Sequence, residues 1–361
     1  MPLLKPTSCA GCALYSGQYG SRHGFVPSSG SGSTGVLIVL DAPGADEVQM
    51  GTQAIGRAGQ YLFSQLQRVG IEREGFKIHS VLSCKSHDNK LSKAPYLSEV
   101  ISHCTPNLES TIHEMQAQCR TSGKHFTILA LGRIAFKKIM GLQEWDPMLR
   151  KDILNYPHWS TQYGAWVIAG HHPGQVMGGQ HHLATVLQFA AQRALEIAEH
   201  GITQGELDYL LDPTPEVFSL WVDTYLKHNH QFPDSTFMAY DIETPWKKGK
   251  DEAEVAREDD DDYTILRCSF CYEPGKGVSV PWNSNYLPAI ERLFNSGGNG
   301  VNWNGSGYDD VRIMKYLSMD MLRLDSMLAW HVLNTSLPKG LGFVTPFYWP
   351  TCSMWKHLGD D

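Results

Sequence analysis

Val36-Leu37-Ile38-Val39-Leu40-Asp41-Ala42-Pro43-Gly44 is the stretch on which the fold turns. Five aliphatic residues running straight into a carboxylate and a Pro-Gly pair read as a buried strand that ends in a loop. A helix is expected next, because Leu62, Phe63, Leu66 and Val69 recur at helical spacing within 58–69. The alternation continues outward. Strands are expected over 76–82, 127–131 and 165–169, and helical runs over 96–119, 133–140 and 183–197. Such alternation predicts an α/β fold of three αβα layers around a parallel sheet. Ligands of these folds gather in the loops beyond the strand C-termini. Asp41, Ser80, Gly132 and His172 all stand at or near those ends.

A chain of 361 residues exceeds what one core of roughly 250 residues serves, so two domains are expected. We place the first over 1–200, a connection containing Asp212-Pro213 over 201–215, and a second unit over 216–361. With 42% hydrophobic and 19% charged residues, the chain is neither disordered nor fibrous. Its longest aliphatic run, 36–40, is far too short for a bilayer. A cytosolic protein with reduced cysteines is expected, so cysteine clusters read as ligands before disulfides. The net charge of −8 is uneven, with +3 over 1–200 and −11 over 201–361, and excludes no nucleic-acid partner.

Cys9 and Cys12 form a C-x2-C knuckle ahead of the first strand. Cys84 follows the second strand, and Cys104 lies on the helical stretch after it. By spacing, zinc and iron–sulfur stand level, with unrelated core thiols as a third reading.

Cys9-Ala10-Gly11-Cys12, Asp41-Ala42-Pro43-Gly44-Ala45-Asp46-Glu47 and Gly56-Arg57-Ala58-Gly59 occur in that order. They are followed by Cys84-Lys85, Cys104-Thr105-Pro106, Leu131-Gly132 and His172-Pro173. Together these resemble family 4 uracil-DNA glycosylases over about residues 5–200. The resemblance implies a structural [4Fe-4S] cluster on Cys9, Cys12, Cys84 and Cys104. It also implies a base pocket built from Pro43, Gly44, and positions 54 and 80. Base cleavage leaves negative charge on the departing base, so a donor must face its oxygen, a role that suits His172. Asp41 either positions water or caps the next element. Val176 and Met177 are candidate wedges into DNA, or core residues. Gly56-Arg57-Ala58-Gly59 reads as a helix start approaching DNA phosphate.

Three positions depart from that family. Asp41 stands where its motif has Glu, Ala54 where a Phe stacks on the base, and Ser80 where an Asn reads the uracil edge. Stacking is worth roughly 1–3 kcal/mol per base, and a lost edge contact erodes selectivity further. The expectation is weak or absent uracil excision, from a pocket remodelled for another base or a domain that only binds DNA.

In the second unit, Met238-Ala239-Tyr240-Asp241-Ile242-Glu243-Thr244 carries two carboxylates on one face of an expected strand. Asn304-Gly305-Ser306-Gly307-Tyr308-Asp309 supplies a third. With Leu324-Asp325-Ser326 and Leu337-Pro338-Lys339-Gly340-Leu341, the set resembles the DEDD-type 3′–5′ exonucleases preceding family A DNA polymerases of phages. The resemblance implies a partial ribonuclease-H-like domain, with Asp241, Glu243 and Asp309 holding Mg²⁺ or Mn²⁺. It also implies a polymerase domain or subunit as partner. The family's last motif has no match before Asp361, so a fragment or split gene is expected. The acidic run Asp259–Asp262 reads as a solvated insertion.

Overall fold

The computed structural model describes residues 6–15, 25–85, 91, 95–142, 154, 156–202, 207–245 and 264–349. The chain divides into two compact units, one of 1–203 with 342–361 and one of 204–341. The acidic run at 259–262 lies outside the described residues, as does the end of the chain from 350.

The first unit is a five-stranded sheet in the order β2-β1-β3-β5-β4. Its strands are β1 (Val36–Leu40), β2 (Lys77–Ser80), β3 (Thr127–Leu131), β4 (Pro157–Ser160) and β5 (Ala165–Gly170). β2, β1, β3 and β5 run parallel, and β4 adds antiparallel to β5. That antiparallel edge strand is not legible in the sequence, because Pro157-His158-Trp159-Ser160 lacks an aliphatic run. The helices are α1 (Ala45–Met50), α2 (Arg57–Gln67), α3 (Leu97–Ser122), α4 (Arg133–Met140), α5 (Pro173–Met177) and α6 (Ala184–His200). Every residue of β1 is buried, as a strand covered on both faces requires. Leu37, Val39, Ile128 and Ala130 share a core with Leu108 and Ile112 of α3 and Ala135 and Phe136 of α4. The alternate residues Ile38, Leu129 and Ile168 are equally buried, and α6 packs along β1, β3 and β5 with α2 beside it. The result is the expected α/β architecture. Residues 342–349 also belong to this unit: Pro346 O accepts from Arg193 Nη2 at 2.5 Å, and Phe347 packs on Phe189.

The second unit is a six-stranded mixed sheet, β11-β10-β7-β8-β9-β6. Its strands are β6 (Asp208–Leu211), β7 (Phe237–Glu243), β8 (Arg267–Glu273), β9 (Lys276–Pro281), β10 (Asn299–Asn302) and β11 (Leu322–Asp325). β7, β8 and β9 are successive antiparallel neighbours, whereas β10 and β11 run parallel to β7. Its helices are α7 (Pro215–Gln231), α8 (Leu287–Phe294), α9 (Asp309–Ile313) and α10 (Ser326–Leu333); the next helix, α11 (Leu341–Tyr348), belongs to the first unit from residue 342 on. α7 starts on a Thr214 cap with Pro215 at its first turn. Phe218, Val222 and Tyr225 of α7 and Ile290, Leu293 and Phe294 of α8 bury one sheet face with Met238, Tyr240 and Ile242. Two expected boundaries are corrected. The stretch 201–215 contains β6, which hydrogen-bonds to β9 and is part of the sheet. The second unit ends near 341, because the chain beyond packs with the first. Among the described residues, no helix is long and apolar enough to cross a membrane.

Candidate active site

The carboxyl ends of β1, β2, β3 and β5 enclose a cavity of about 640 Å³. Asp41, Pro43, Gly44, Ala54, Ser80, His172 and Met177 all line it, with Arg57, Lys85 and Arg133 supplying positive charge. Parallel strands ending together place these residues around one volume, although they span more than 130 positions of sequence.

His172 caps α5. Its Nδ1 accepts the amide hydrogen of Gly174 at 3.1 Å, while Pro173 supplies the fixed first turn. A ring nitrogen that accepts from an amide carries no hydrogen itself. The neutral ring therefore holds its hydrogen on Nε2 and has one donor to offer.

Asp41 follows β1 and reaches the start of α4, where its Oδ1 accepts from the Ala135 amide at 2.9 Å. Gly132, at φ +122°, leaves the room this needs, since a Cβ there would lie 2.6 Å from Oδ1. Burial pushes the Asp41 carboxyl above the usual range, opposed by the nearby His172 and by the amides of Ala135 and Ile134. Asp41 thus caps a helix and faces His172 at once.

Ser80 is fully buried, and its hydroxyl donates to Gln53 Oε1 at 2.8 Å. Gln53 is equally buried, with its Nε2 donating to Val26 O at 3.1 Å. Because a carbonyl only accepts, the Gln53 amide has one orientation, and the Ser80 hydrogen is committed to it. Ala54 adopts φ +52°, a left-handed conformation that disfavours any Cβ. Arg73 grips the adjacent carbonyls, Nη1 on Ala54 O and Nη2 on Gln53 O, each at 2.6 Å. Ala54→Gly should therefore stabilise the first unit by about 1 kcal/mol, seen as a rise of roughly 2–4 °C in Tm. An unchanged or lower Tm would show that the alanine is unstrained.

One expectation is corrected. Val176 has no exposed surface, so it is a core residue, and only Met177 of the wedge pair borders the cavity. Three residues that shape the site were given no individual role from the sequence. Glu47 had a signal in its spacing of three from the Gly44 N-cap, the capping-box register. Gln53 and Arg73 had none, because their partners are distant backbone carbonyls and, for Gln53, also the Ser80 hydroxyl.

The four cysteines come from three segments. Cys9 and Cys12 sit on a turn tied to α3 where His103 Nδ1 meets Ser8 O at 2.8 Å. Cys84 follows β2 directly, and Cys104 lies on α3. All four are 3–4% exposed. Burial pushes the Cys104 thiol up to about 11, with Ser83 lowering it and nearby Cys12 and Cys9 raising it. Cys104 thus has both knuckle sulfurs, and the residue preceding Cys84, as neighbours. No disulfide joins the described cysteines.

In the second unit, Asp241 and Glu243 lie on the β7 face away from the core, and Asp309 opens α9. The Asp309 carboxyl rises to about 7, first through burial and then through Asp241, against the Ile242 amide that favours its charge. Asp310 is the buried structural neighbour, its Oδ1 accepting from Tyr240 OH at 2.7 Å and Asn302 Nδ2 at 3.0 Å. Asp325 caps α10 and accepts from Ser306 Oγ at 2.6 Å. Among the described residues, no three His, Cys, Asp or Glu side chains form a group that holds a metal ion. Of the residues expected to hold Mg²⁺ or Mn²⁺, Asp309 is buried beside Asp241, while Glu243 is exposed.

Comparison with known proteins bears on the first unit. The profile of the Uracil DNA glycosylase superfamily matches residues 27–190. The type-4 uracil-DNA glycosylase of Pyrobaculum aerophilum is 33% identical over 135 residues, which are 37% of this chain and 61% of that protein. The type-4 uracil-DNA glycosylase of Archaeoglobus fulgidus is 26% identical over 174 residues, 47% of this chain and 78% of that protein. That of Sulfurisphaera tokodaii is 28% identical over 157 residues, 42% of this chain and 68% of that protein. The chain thus spans about three fifths of the first relative's length. Residues 27–190 are a uracil DNA glycosylase superfamily domain with type-4 uracil-DNA glycosylases as homologues.

Proposed function

We propose that the first unit is a DNA glycosylase that releases uracil or a modified base from a nucleotide flipped into the 640 Å³ cavity. The observation that carries this reading is His172 at the cavity wall, its hydrogen held on Nε2 by the Gly174 amide. A donor there stabilises the charge that develops on the leaving base. Asp41 lines the same cavity beside His172 and is the candidate to position or activate water. The type-4 relatives favour an active enzyme over a domain that only binds DNA. Ala54 offers no ring for stacking, and the Ser80 hydrogen is engaged by Gln53. Uracil release is therefore expected to be slow. Incubation with uracil-containing single-stranded DNA, scored as abasic sites, tests this. Release from no substrate, uracil or modified, would sink the enzymatic reading.

Four buried thiols from three segments suit a [4Fe-4S] cluster on Cys9, Cys12, Cys84 and Cys104. Held by these four residues, such a cluster would tie the knuckle and the segment after β2 to α3. Anaerobically purified protein is expected to show iron–sulfur absorption in the visible range and about four irons per chain. Colourless protein containing zinc would overturn this.

The second unit supports a further reading. The nearness of Asp309 to Asp241, at the end of a central strand, favours an exonuclease-like domain, placed in phage proteins beside a polymerase. Degradation of single-stranded DNA in the presence of Mg²⁺ or Mn²⁺, lost on Asp241→Ala, would support it. Absence of any such nuclease activity would oppose it.

A further inference from the structure

Glu47 is charged yet only 7% exposed, and it borders the cavity. Its two oxygens divide between two loops. Oε2 accepts the Gly44 amide at 3.0 Å, and Oε1 accepts the Gly56 amide at 2.7 Å. The first amide belongs to the Pro43-Gly44 turn after β1, and the second opens α2. A side chain at either glycine would press on this carboxylate. A Cβ on Gly44 would lie 2.6 Å from Oε2, and one on Gly56 would lie 2.9–3.0 Å from both oxygens.

The carbonyl of Glu47 acts on the same segment. It accepts from Gly51 at 2.7 Å and Thr52 at 3.3 Å. One residue therefore holds 51–56 at both ends. Between those ends Arg73 grips the Gln53 and Ala54 carbonyls, and its guanidinium senses the Glu47 charge. The wall that presents Ala54 and locks Gln53 onto Ser80 is thus suspended between an anion and a cation. Charge-assisted hydrogen bonds to a buried carboxylate are the stronger kind, and they set a loop in one geometry.

We propose that Glu47 is the positioning residue of the base pocket, its carboxylate fixing the Pro43-Gly44 turn against the start of α2. This rests on the glycosylase reading above. Each oxygen already serves an amide, so Glu47 acts through the loops and moves no proton.

Glu47→Gln tests the assignment. Glutamine keeps one acceptor but turns its amino group towards the other backbone N–H, so one of the two bridges breaks. Misplacement of a catalytic wall by about 1 Å costs on the order of 100-fold in rate. The expected result is a kcat about 100-fold lower, KM for DNA within about threefold, and an unchanged shape of the pH profile. Gly56→Ala has an ordinary backbone conformation but pushes on both oxygens, so it should reproduce the defect from the opposite side. Hydrogen exchange supplies a readout independent of turnover: the Gly44 and Gly56 amides should exchange at least tenfold faster in Glu47→Gln, with β1 and β3 unaffected. Full kcat in the folded variants, or unchanged exchange at both glycines, overturns the proposal. Loss of one limb of the pH profile does so too, because it would make Glu47 a proton carrier. If the parent protein releases no base while the two amides respond as expected, the glycosylase reading fails and the bridging role stands.

Discussion

Replacing His172 with alanine should slow base release by about 100- to 1000-fold, the loss seen when one preorganised donor to a developing oxyanion is removed. The size follows from how little freedom the ring has. Pro173 fixes the backbone beside it, and the Gly174 amide occupies Nδ1 at 3.1 Å, so the Nε2 hydrogen is already placed before substrate arrives. Single-turnover release from uracil-containing single-stranded DNA, with DNA affinity measured separately, reads the effect. The loss should fall on the rate, because the donor matters most when charge has developed. A decrease below about fivefold, or one confined to affinity, would show that the leaving base is stabilised by another group.

Asp309→Asn should make the second unit more stable at pH 8 by a few kcal/mol, and abolish most of its stability change between pH 4 and 8. In the folded protein this carboxyl loses its proton near 7, against an ordinary 3.8. Folding therefore favours the protonated form. The stabilisation is fully present below about 3.8 and is lost as the pH rises through about 7. Each unit of difference is worth about 1.4 kcal/mol, which sets the order of magnitude. Burial and the Asp241 charge create the penalty, and Asp310 adds to it. Asparagine removes the charge yet still accepts from the Ile242 amide. Thermal unfolding of both proteins from pH 4 to 8 is the measurement. Parallel pH curves would exclude Asp309 as the titrating group. Repeating the series with Mg²⁺ separates the exonuclease reading, since a bound cation would replace the proton and stabilise the parent at pH 8 but not the variant.

Much of the site was legible in the chain. Strands that end in Asp41, Ser80, Gly132 and His172 announce one face of a parallel sheet, because chain direction alone brings their carboxyl ends together. That His172 lines the cavity followed from its place before a proline at such an end. The roles of Gln53 and Arg73 did not, since each binds backbone carbonyls or hydroxyls brought near only by folding. Val176 illustrates the same limit: a short apolar pair after His-Pro does not reveal which member faces inward.

The sequence by itself determined the α/β alternation, the strand β7 bearing Asp241 and Glu243 on one face, and the segments carrying the four cysteines. These are local properties, written in the two- and 3.6-residue periods of the backbone and in residue type. Only the tertiary structure decided that 208–211 completes the second sheet and that 342–349 returns to the first unit. It alone decided that Glu47 serves two glycine amides and that Asp309 turns inward beside Asp241. The physical reason is that pairing, burial and charge compensation depend on neighbours far away in the chain, and no short-range pattern encodes which neighbour a side chain will meet.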